Sequence, residues 1–422
     1  MNITLVTIGS RGDVQPYVAL GVGLKQAGHD VRIATHASFQ SVILKHSLDF
    51  AELPGDPRQL VESDAGQAWL DTGTNALTFA RRMAALMRPL TLDAATYCLK
   101  ACRDADLVLY SILGWLVAHH VTEKLGIPAL AAPLQPVTPT REFHLMGTRS
   151  HGVVGGIANR MMYRVGEQLY WMCFRRSLNT VRRKVLGLPP MPLRAPYARE
   201  RRKGNPVLYG YSPTLLPKPR DWPDNVHVTG TWFLEPDPEW RPSPELADFL
   251  NAGAAPVYVG FGSMHARNAI EQTRSVVDAL TRAGQRGVLL TGWGALAEVD
   301  LPEHVLAVSS VPHDWLFPRM AAVIHHCGSG TTAAGLRAGV PTVPVPFFAD
   351  QPFWARCLYD RGVAAKPVPI KRLSTKRLTE AIQYAVSDTA VRERAATSGA
   401  RVRSEDGVGR AVELVERFAR SL

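Results

Sequence analysis

Apolar positions at the start of the chain follow a strand–loop–helix–strand pattern. Ile3, Leu5, Val6 and Ile8 form a short run, and Gly9-Ser10-Arg11-Gly12-Asp13 interrupts it. Val14, Val18, Gly21, Leu24 and Ala27 then recur at three- and four-residue spacing until Gly28, and Val31-Arg32-Ile33-Ala34-Thr35 is again strand-like. The pattern predicts a strand, a loop, a helix from Val14 and a second strand, and therefore a parallel sheet. Leu107-Val108-Leu109-Tyr110, a helical stretch over 114–125 and Pro128-Ala129-Leu130-Ala131 extend the alternation. Unbroken apolar runs of this kind suit strands covered on both faces.

The same rhythm restarts in the second half. Val257-Tyr258-Val259-Gly260-Phe261 leads into a Gly262-Ser263 loop. Val288–Thr291 and Val305–Val308 read as strands, and Val323-Ile324-His325 enters another glycine-rich loop. Between the halves, residues 213–244 carry eight prolines, which excludes a long helix or a central strand and marks a linker. The expected architecture is α/β, two Rossmann-like domains facing a central cleft. Residues 1–235 are expected to form the first domain, with the linker from about 213, and 236–405 the second. Residues 406–422 form a final helix, capped by Asp406, that packs back on the first domain. Segments near 60–100 and 140–200 are helical in pattern and rich in Met, Trp, Arg and Leu, as insertions lining a binding cleft would be.

Composition narrows the class. A charge of +11 is compatible with an anionic small ligand or a membrane surface, and no nucleic-acid module accompanies it. Five cysteines with no CxxC pattern point to a reducing, cytoplasmic setting. The N-terminal apolar run is too short for a signal peptide, and no stretch is long enough to span a bilayer, so membrane contact would be peripheral. The 140–203 segment interleaves Arg141, Arg149, Arg160, Arg164, Arg175 and Arg176 with Tyr163, Tyr170, Trp171 and Phe174, a basic-aromatic mixture that could rest on anionic lipid.

The chemistry concentrates in His325-His326-Cys327-Gly328-Ser329-Gly330-Thr331-Thr332, where a buried strand meets a helix expected over 330–336. Two glycines allow close backbone approach, the helix N-terminus offers free N–H groups, and Ser329, Thr331 and His326 add donors, a set suited to a pyrophosphate. The plain alternative is a capped glycine turn. It is not a Walker loop, because Gly-Lys-Thr is missing. Further on, Asp350-Gln351 stands between apolar flanks, where a carboxylate and an amide can grip sugar hydroxyls or simply cap a helix. No carboxylate cluster suggests a metal. His119-His120 reads as structural, and His29 and His36 read as surface or capping residues.

These motifs together resemble the donor signature of GT-B nucleotide-sugar glycosyltransferases, most closely the sterol glucosyltransferases and glycopeptide-antibiotic glycosyltransferases. The residues are Gly12-Asp13-Val14-Gln15-Pro16, Val311-Pro312-His313-Asp314-Trp315-Leu316-Phe317, His325 to Thr332 and Asp350-Gln351-Pro352-Phe353-Trp354. The resemblance implies that His326 contacts the donor diphosphate with Gly328, Ser329, Gly330, Thr331, Gly262 and Ser263. It implies that Asp350 and Gln351 hold the hexose, and that Ser310, Val311 and His313 lie near the base. Two departures stand out. Ser310 replaces the tryptophan that stacks on uracil in plant members, and Ala334 replaces their ribose-binding glutamate. Asp13 is the expected general base, since no histidine occurs between Met1 and Gly28, and Ser10, Arg11 and Gly12 lie beside it near the donor. The resemblance implies inverting transfer of a hexose, glucose from UDP-glucose, to a hydroxyl of a small lipophilic acceptor such as a sterol or polyketide, with the acceptor bound by the 1–235 domain and the nucleotide sugar by the 236–405 domain. No cofactor or metal is expected beyond the nucleotide sugar. A nucleotide-sugar epimerase and a dTDP-sugar transferase are the alternatives.

Overall fold

The computed structural model describes residues 1–56, 78, 81, 82, 84, 85, 88, 90–144, 152–262, 269–291, 296 and 300–422. Most of the 60–90 part of the first expected insertion, Arg149 and Ser263 fall outside them. The chain forms two compact units. One comprises Met1–Pro213, Pro217–Leu234 and Asp406–Leu422. The other comprises Thr214–Leu216 and Glu235–Glu405.

The first unit is built on a seven-stranded sheet in the order β3-β2-β1-β4-β5-β6-β7. Its strands are β1 (Asn2–Val6), β2 (Asp30–Thr35), β3 (Asp49–Glu52), β4 (Leu107–Tyr110), β5 (Ala129–Ala131), β6 (Val207–Tyr209) and β7 (Val226–Val228). All pairings are parallel. Its helices are α1 (Arg11–Gln26), α2 (Gln40–Lys45), α3 (Thr91–Ala101), α4 (Trp115–Leu125), α5 (Gly152–Val181) and α6 (Tyr197–Arg202). β7 lies among the prolines and is an edge strand, the one place in a sheet where missing N–H donors are tolerated.

The second unit holds a five-stranded parallel sheet in the order β10-β9-β8-β11-β12. The strands are β8 (Val257–Gly260), β9 (Gly287–Leu290), β10 (Val305–Val308), β11 (Ala322–His325) and β12 (Thr342–Pro344). The helices are α7 (Pro244–Asn251), α8 (Ala269–Arg282), α9 (His313–Leu316), α10 (Ser329–Ala338), α11 (Gln351–Asp360), α12 (Thr375–Ser387) and α13 (Thr389–Arg403). Strands β8 and β11 are buried along their whole length, which explains why their sequences do not alternate.

The last helix, α14 (Gly407–Ala419), returns to the first unit. Asp406 Oδ1 accepts the Gly409 N–H at 2.8 Å, so the expected cap is present. Ala411, Val412 and Val415 are buried against the α1 side of the core. The contact with α1 is close: a Cβ on Gly23 would stand 2.3 Å from Val408 Cγ1. Full burial of a valine contributes about 1.5–3 kcal/mol, so the face of α14 is a substantial part of this unit's stability.

Two local expectations need correction. Helix α1 begins at Arg11 rather than Val14, with Ser10 as N-cap and Asp13 at the third helical position. His36 is not a surface residue but 3% exposed, standing at the N-cap position of the 3-10 turn Ala37–Phe39 and packed behind the first loop.

Candidate functional site

In the first unit the loop after β1 is tied down from three directions. The Ser10 N–H and Oγ–H both donate to Asp13 Oδ2, at 2.9 and 3.1 Å. Thr7 Oγ1 donates to the Asp13 carbonyl at 2.7 Å. The Gly9 N–H donates to His36 Nε2 at 3.3 Å, which requires a neutral ring as acceptor. Burial holds His36 below the usual histidine value and keeps that acceptor available. Gly9 has φ +139°, and a Cβ there would stand 2.4 Å from Asp13 Oδ2, so only glycine lets the backbone lie over the carboxylate. Below it, Tyr17 is fully buried and its hydroxyl donates to the Ala132 carbonyl. Asp13 itself is half-buried, while Arg11 and Gly12 are exposed at the helix start. Arg11 Nε donates to Gln15 Oε1 at 3.0 Å, one turn along α1.

In the second unit three neighbouring parallel strands, β8, β11 and β12, end at the same sheet edge. The loops after them carry Gly262, His326 and Asp350-Gln351. Parallel strands deliver their following loops to one side, the usual ligand side of such sheets. The imidazole of His326 is seated between two glycines. A Cβ on Gly262 would stand 2.8 Å from its Cε1, and one on Gly328 would stand 2.6 Å from its Nε2. Gly262 has φ +60°, so it is required for conformation as well as space. The ring is only partly covered, but Nδ1 is buried and has no hydrogen-bond partner among the described residues. Burial lowers its pKa to about 4, so it is neutral near pH 7.

The preceding residue sets this geometry. His325 ends β11 with no exposure, and its Nδ1 accepts the Cys327 N–H at 3.0 Å. That bond supports Cys327 at φ +66°, a strained conformation for a side-chain-bearing residue. Successive strand residues point to opposite faces, so His325 turns inward where His326 turns out. The α10 N-terminus that follows is open. Its N-cap is Gly328, with no side chain to cap it, and its first turn has no acidic residue. The helix spans Ser329–Ala338, starting one residue earlier and ending two residues later than expected. Ser329, Gly330 and Thr331 occupy its first turn half-exposed. The first N–H groups of a helix have no intrahelical partner and carry its positive dipole end, so this is a seat for an anion.

Asp350 occupies the N-cap position of α11 but does not cap it. Its Oδ2 accepts from Trp354 Nε1 at 2.9 Å, one turn along. Gln351 is 5% exposed, and its Oε1 accepts the N–H groups of Phe347 and Phe348 at 2.9 and 3.3 Å. The amide carbonyl therefore shapes its own loop, in which Ala349 stands at φ +55°. Ser310 is exposed after β10 and Val311 is buried. His313 stacks on Phe317 at 4.3 Å between centroids, and its Nε2 lies 3.2 Å from the Tyr258 hydroxyl, so its ring is part of the packing under the loop.

Sequence reasoning missed His36, His325 and the indole of Trp354. The adjacent histidines at the end of a buried strand could have flagged His325, but the His36 contact depends on tertiary structure. Among the described residues, His119, His120 and Glu123 place ligand-type atoms within 4.8 Å of one another. Arg182 already occupies that group. Its guanidinium donates to Glu123 at 2.6 and 2.9 Å and lies 3.2 Å from His120 Nδ1, so a fixed cation stands where an ion would bind. No described helix is long and apolar enough to cross a membrane.

With this geometry in place, likeness to known proteins can be weighed. The model of the Glycosyltransferase family 28 N-terminal domain matches residues 3–144. That of the Erythromycin biosynthesis protein CIII-like, C-terminal domain matches residues 288–408. The chain is 37% identical, over 98% of its length, to a sterol 3-beta-glucosyltransferase of Arabidopsis thaliana, of which it covers 65%. It is 39% identical, over all of its length, to a sterol 3-beta-glucosyltransferase of Pichia angusta, of which it covers 34%. It thus spans less than two thirds of either relative. Among solved structures, the glycotransferase of kitacinnamycin superposes with a TM-score of 0.73 at 21% identity, covering 99% of this chain and 98% of that one. CalG4, the calicheamicin glycosyltransferase, gives 0.69 at 18%, again covering 99% and 98%. At these identities the structural likeness establishes the fold.

Proposed function

The chain belongs to the GT-B UDP-glycosyltransferases, and from that premise we propose that it transfers a hexose from a nucleotide diphosphate donor to a hydroxyl of a sterol-like or other lipophilic acceptor. The observation that carries this reading is His326 seated between Gly262 and Gly328 beside the uncapped start of α10.

In this reading each unit supplies one part of the chemistry. The Asp13 carboxylate takes the proton from the acceptor hydroxyl, which alone is a poor nucleophile. The acceptor oxygen bonds to the anomeric carbon as the bond from that carbon to the diphosphate oxygen breaks. The diphosphate leaves with its electron pair, and its charge is met by the α10 N–H groups, Ser329, Thr331 and His326. A neutral imidazole can donate one hydrogen bond to a phosphate oxygen, and the anion's field would favour its protonation. Direct displacement inverts the anomeric centre, so an α-linked donor gives a β-glycoside. Asp350 and Gln351 favour a sugar with several free hydroxyls, and glucose from UDP-glucose is the proposed donor.

The test is a panel of UDP- and dTDP-sugars against sterol, polyketide and flavonoid acceptors, read by mass. Addition of one hexose to a sterol-class acceptor is expected. A new nucleotide sugar formed without any acceptor would instead identify an epimerase and overturn the reading.

A further inference from the structure

Helix α5 buries one face and leaves the opposite one uncovered. Tyr163, Trp171, Phe174 and Leu178 point into the first unit and are almost fully buried. The aromatic residues expected to rest on lipid are therefore mostly core. On the other side stand Val154, Ile157, Met161, Met162, Val165, Leu169 and Met172. Val154 is 82% exposed and the other six lie between 39% and 59%. At 100° per residue these seven positions fall within one apolar stripe, which runs for roughly 27 Å at the helical rise of 1.5 Å per residue.

The charges around the stripe are one-sided. Residues 152–186 contain Arg160, Arg164, Arg175, Arg176, Arg182, Arg183 and Lys184 against one carboxylate, Glu167. Glu167 is not available to offset them, because Arg201 pairs with it, one bond being 3.1 Å. Arg164, Arg176, Arg183 and Lys184 are exposed, as is Arg202 of α6, while Lys203 pairs with Glu200 at 2.9 Å. A second copy of this chain laid on the stripe would oppose arginines to arginines. A water-exposed surface gives no reason for seven large apolar side chains in register. An anionic lipid surface satisfies both features, with apolar side chains entering the acyl boundary and cations meeting headgroups.

We propose that the exposed face of α5 is a docking surface for an anionic bilayer, with Met161, Val165 and Met172 at its centre. It holds whether or not the hexosyltransferase reading does, since no residue of the stripe belongs to the donor or base sites.

The experiment is co-sedimentation of the full chain with neutral phosphatidylcholine vesicles and with vesicles containing one third phosphatidylglycerol. Binding to the anionic vesicles is expected, falling steeply with added salt, and little binding to the neutral ones. The double variant Met161→Glu/Val165→Glu, and independently Met172→Glu, should lower the partition coefficient about ten-fold or more. Both should keep the wild-type melting temperature and UDP affinity, which separates loss of docking from loss of folding or of the donor site. Absence of wild-type binding at low salt, or equal binding by the folded variants, would overturn the proposal. So would a concentration-dependent dimer that the glutamate substitutions abolish, since the stripe would then be an interface between copies.

Discussion

The loops after β1 and β11 are built alike and finished differently. Each leads from a buried parallel strand through glycine into a helix N-terminus. In the first, Ser10 and Asp13 satisfy one another, so the protein's own carboxylate occupies the positive end of α1. In the second, Gly328 leaves the end of α10 without a side-chain cap, and a neutral histidine stands beside it. A helix start filled by its own acid does not favour a second anion, but it holds that acid in one orientation. An open start does the reverse. One local motif thus holds a fixed carboxylate in one unit and leaves an open anion seat in the other.

If this contrast is right, Asp13→Asn should produce the largest effect. General base catalysis is worth about 10²–10⁴-fold, so kcat should fall by that much while UDP affinity stays within about two-fold. A kcat within ten-fold of wild type would remove Asp13 from the role.

His326→Ala should weaken UDP binding by about 10–100-fold in calorimetry, the usual effect of losing one hydrogen bond to a charged group. The same variant has a stability signature without ligand. The folded pKa of His326, about 4, lies below the unfolded value of about 6.5. The unfolded chain therefore binds more protons in that window, and the folded state loses stability as pH falls through it. The contribution of His326 between pH 7 and pH 5 is on the order of 2 kcal/mol. Urea unfolding at the two pH values should show wild type losing more stability than His326→Ala by that order, and parallel losses would mean the ring is not buried neutral.

Glycine substitutions should divide the two loops next. Gly328→Ala places a methyl 2.6 Å from His326 Nε2 and should cost about ten-fold in UDP affinity, since displacing the ring loses much of one charged hydrogen bond. Gly12→Ala meets nothing closer than Ser10 Oγ at 3.9 Å and lies in a helix, so UDP affinity should not change. Equal effects at both positions would mean the seat for His326 is unimportant. The smallest effect belongs to Ser10→Ala, a lost cap of about 1 kcal/mol seen in denaturant unfolding, with UDP binding intact.

Much of this was legible in the amino-acid pattern, and the limits have physical causes. β4, β8 and β11 are nearly unbroken apolar runs because both faces are covered, and such runs stand out; β1 and β2 are interrupted only by Thr4 and Arg32 between apolar neighbours. β6, β7 and β12 are three residues each, and β12 includes Pro344, so no periodicity develops. The start of α1 was readable, because Ser10 and Asp13 have capping-box spacing, but the glycine at position 12 hid it. In the loops after β11 and β12, His326, Gly328 and Asp350 could be singled out because their chemistry is local. What fixes their geometry was not visible: His325 bonding to Cys327, and Trp354 bonding to Asp350. The burial of His36 behind Gly9 depends on how β2 pairs with β1, which no window of sequence contains.

The return of α14 to the first unit bears on the order in which the protein is made. Residues from both ends of the chain complete one core, with Val408 and Val412 against Gly23. During synthesis the second unit emerges before that core can close. Until α14 arrives, α1 exposes the apolar surface that Ala411, Val412 and Val415 later cover, and contacts so distant in sequence form slowly. The nascent first unit therefore carries an uncovered apolar face until α14 has been made, the kind of surface through which incomplete folds aggregate.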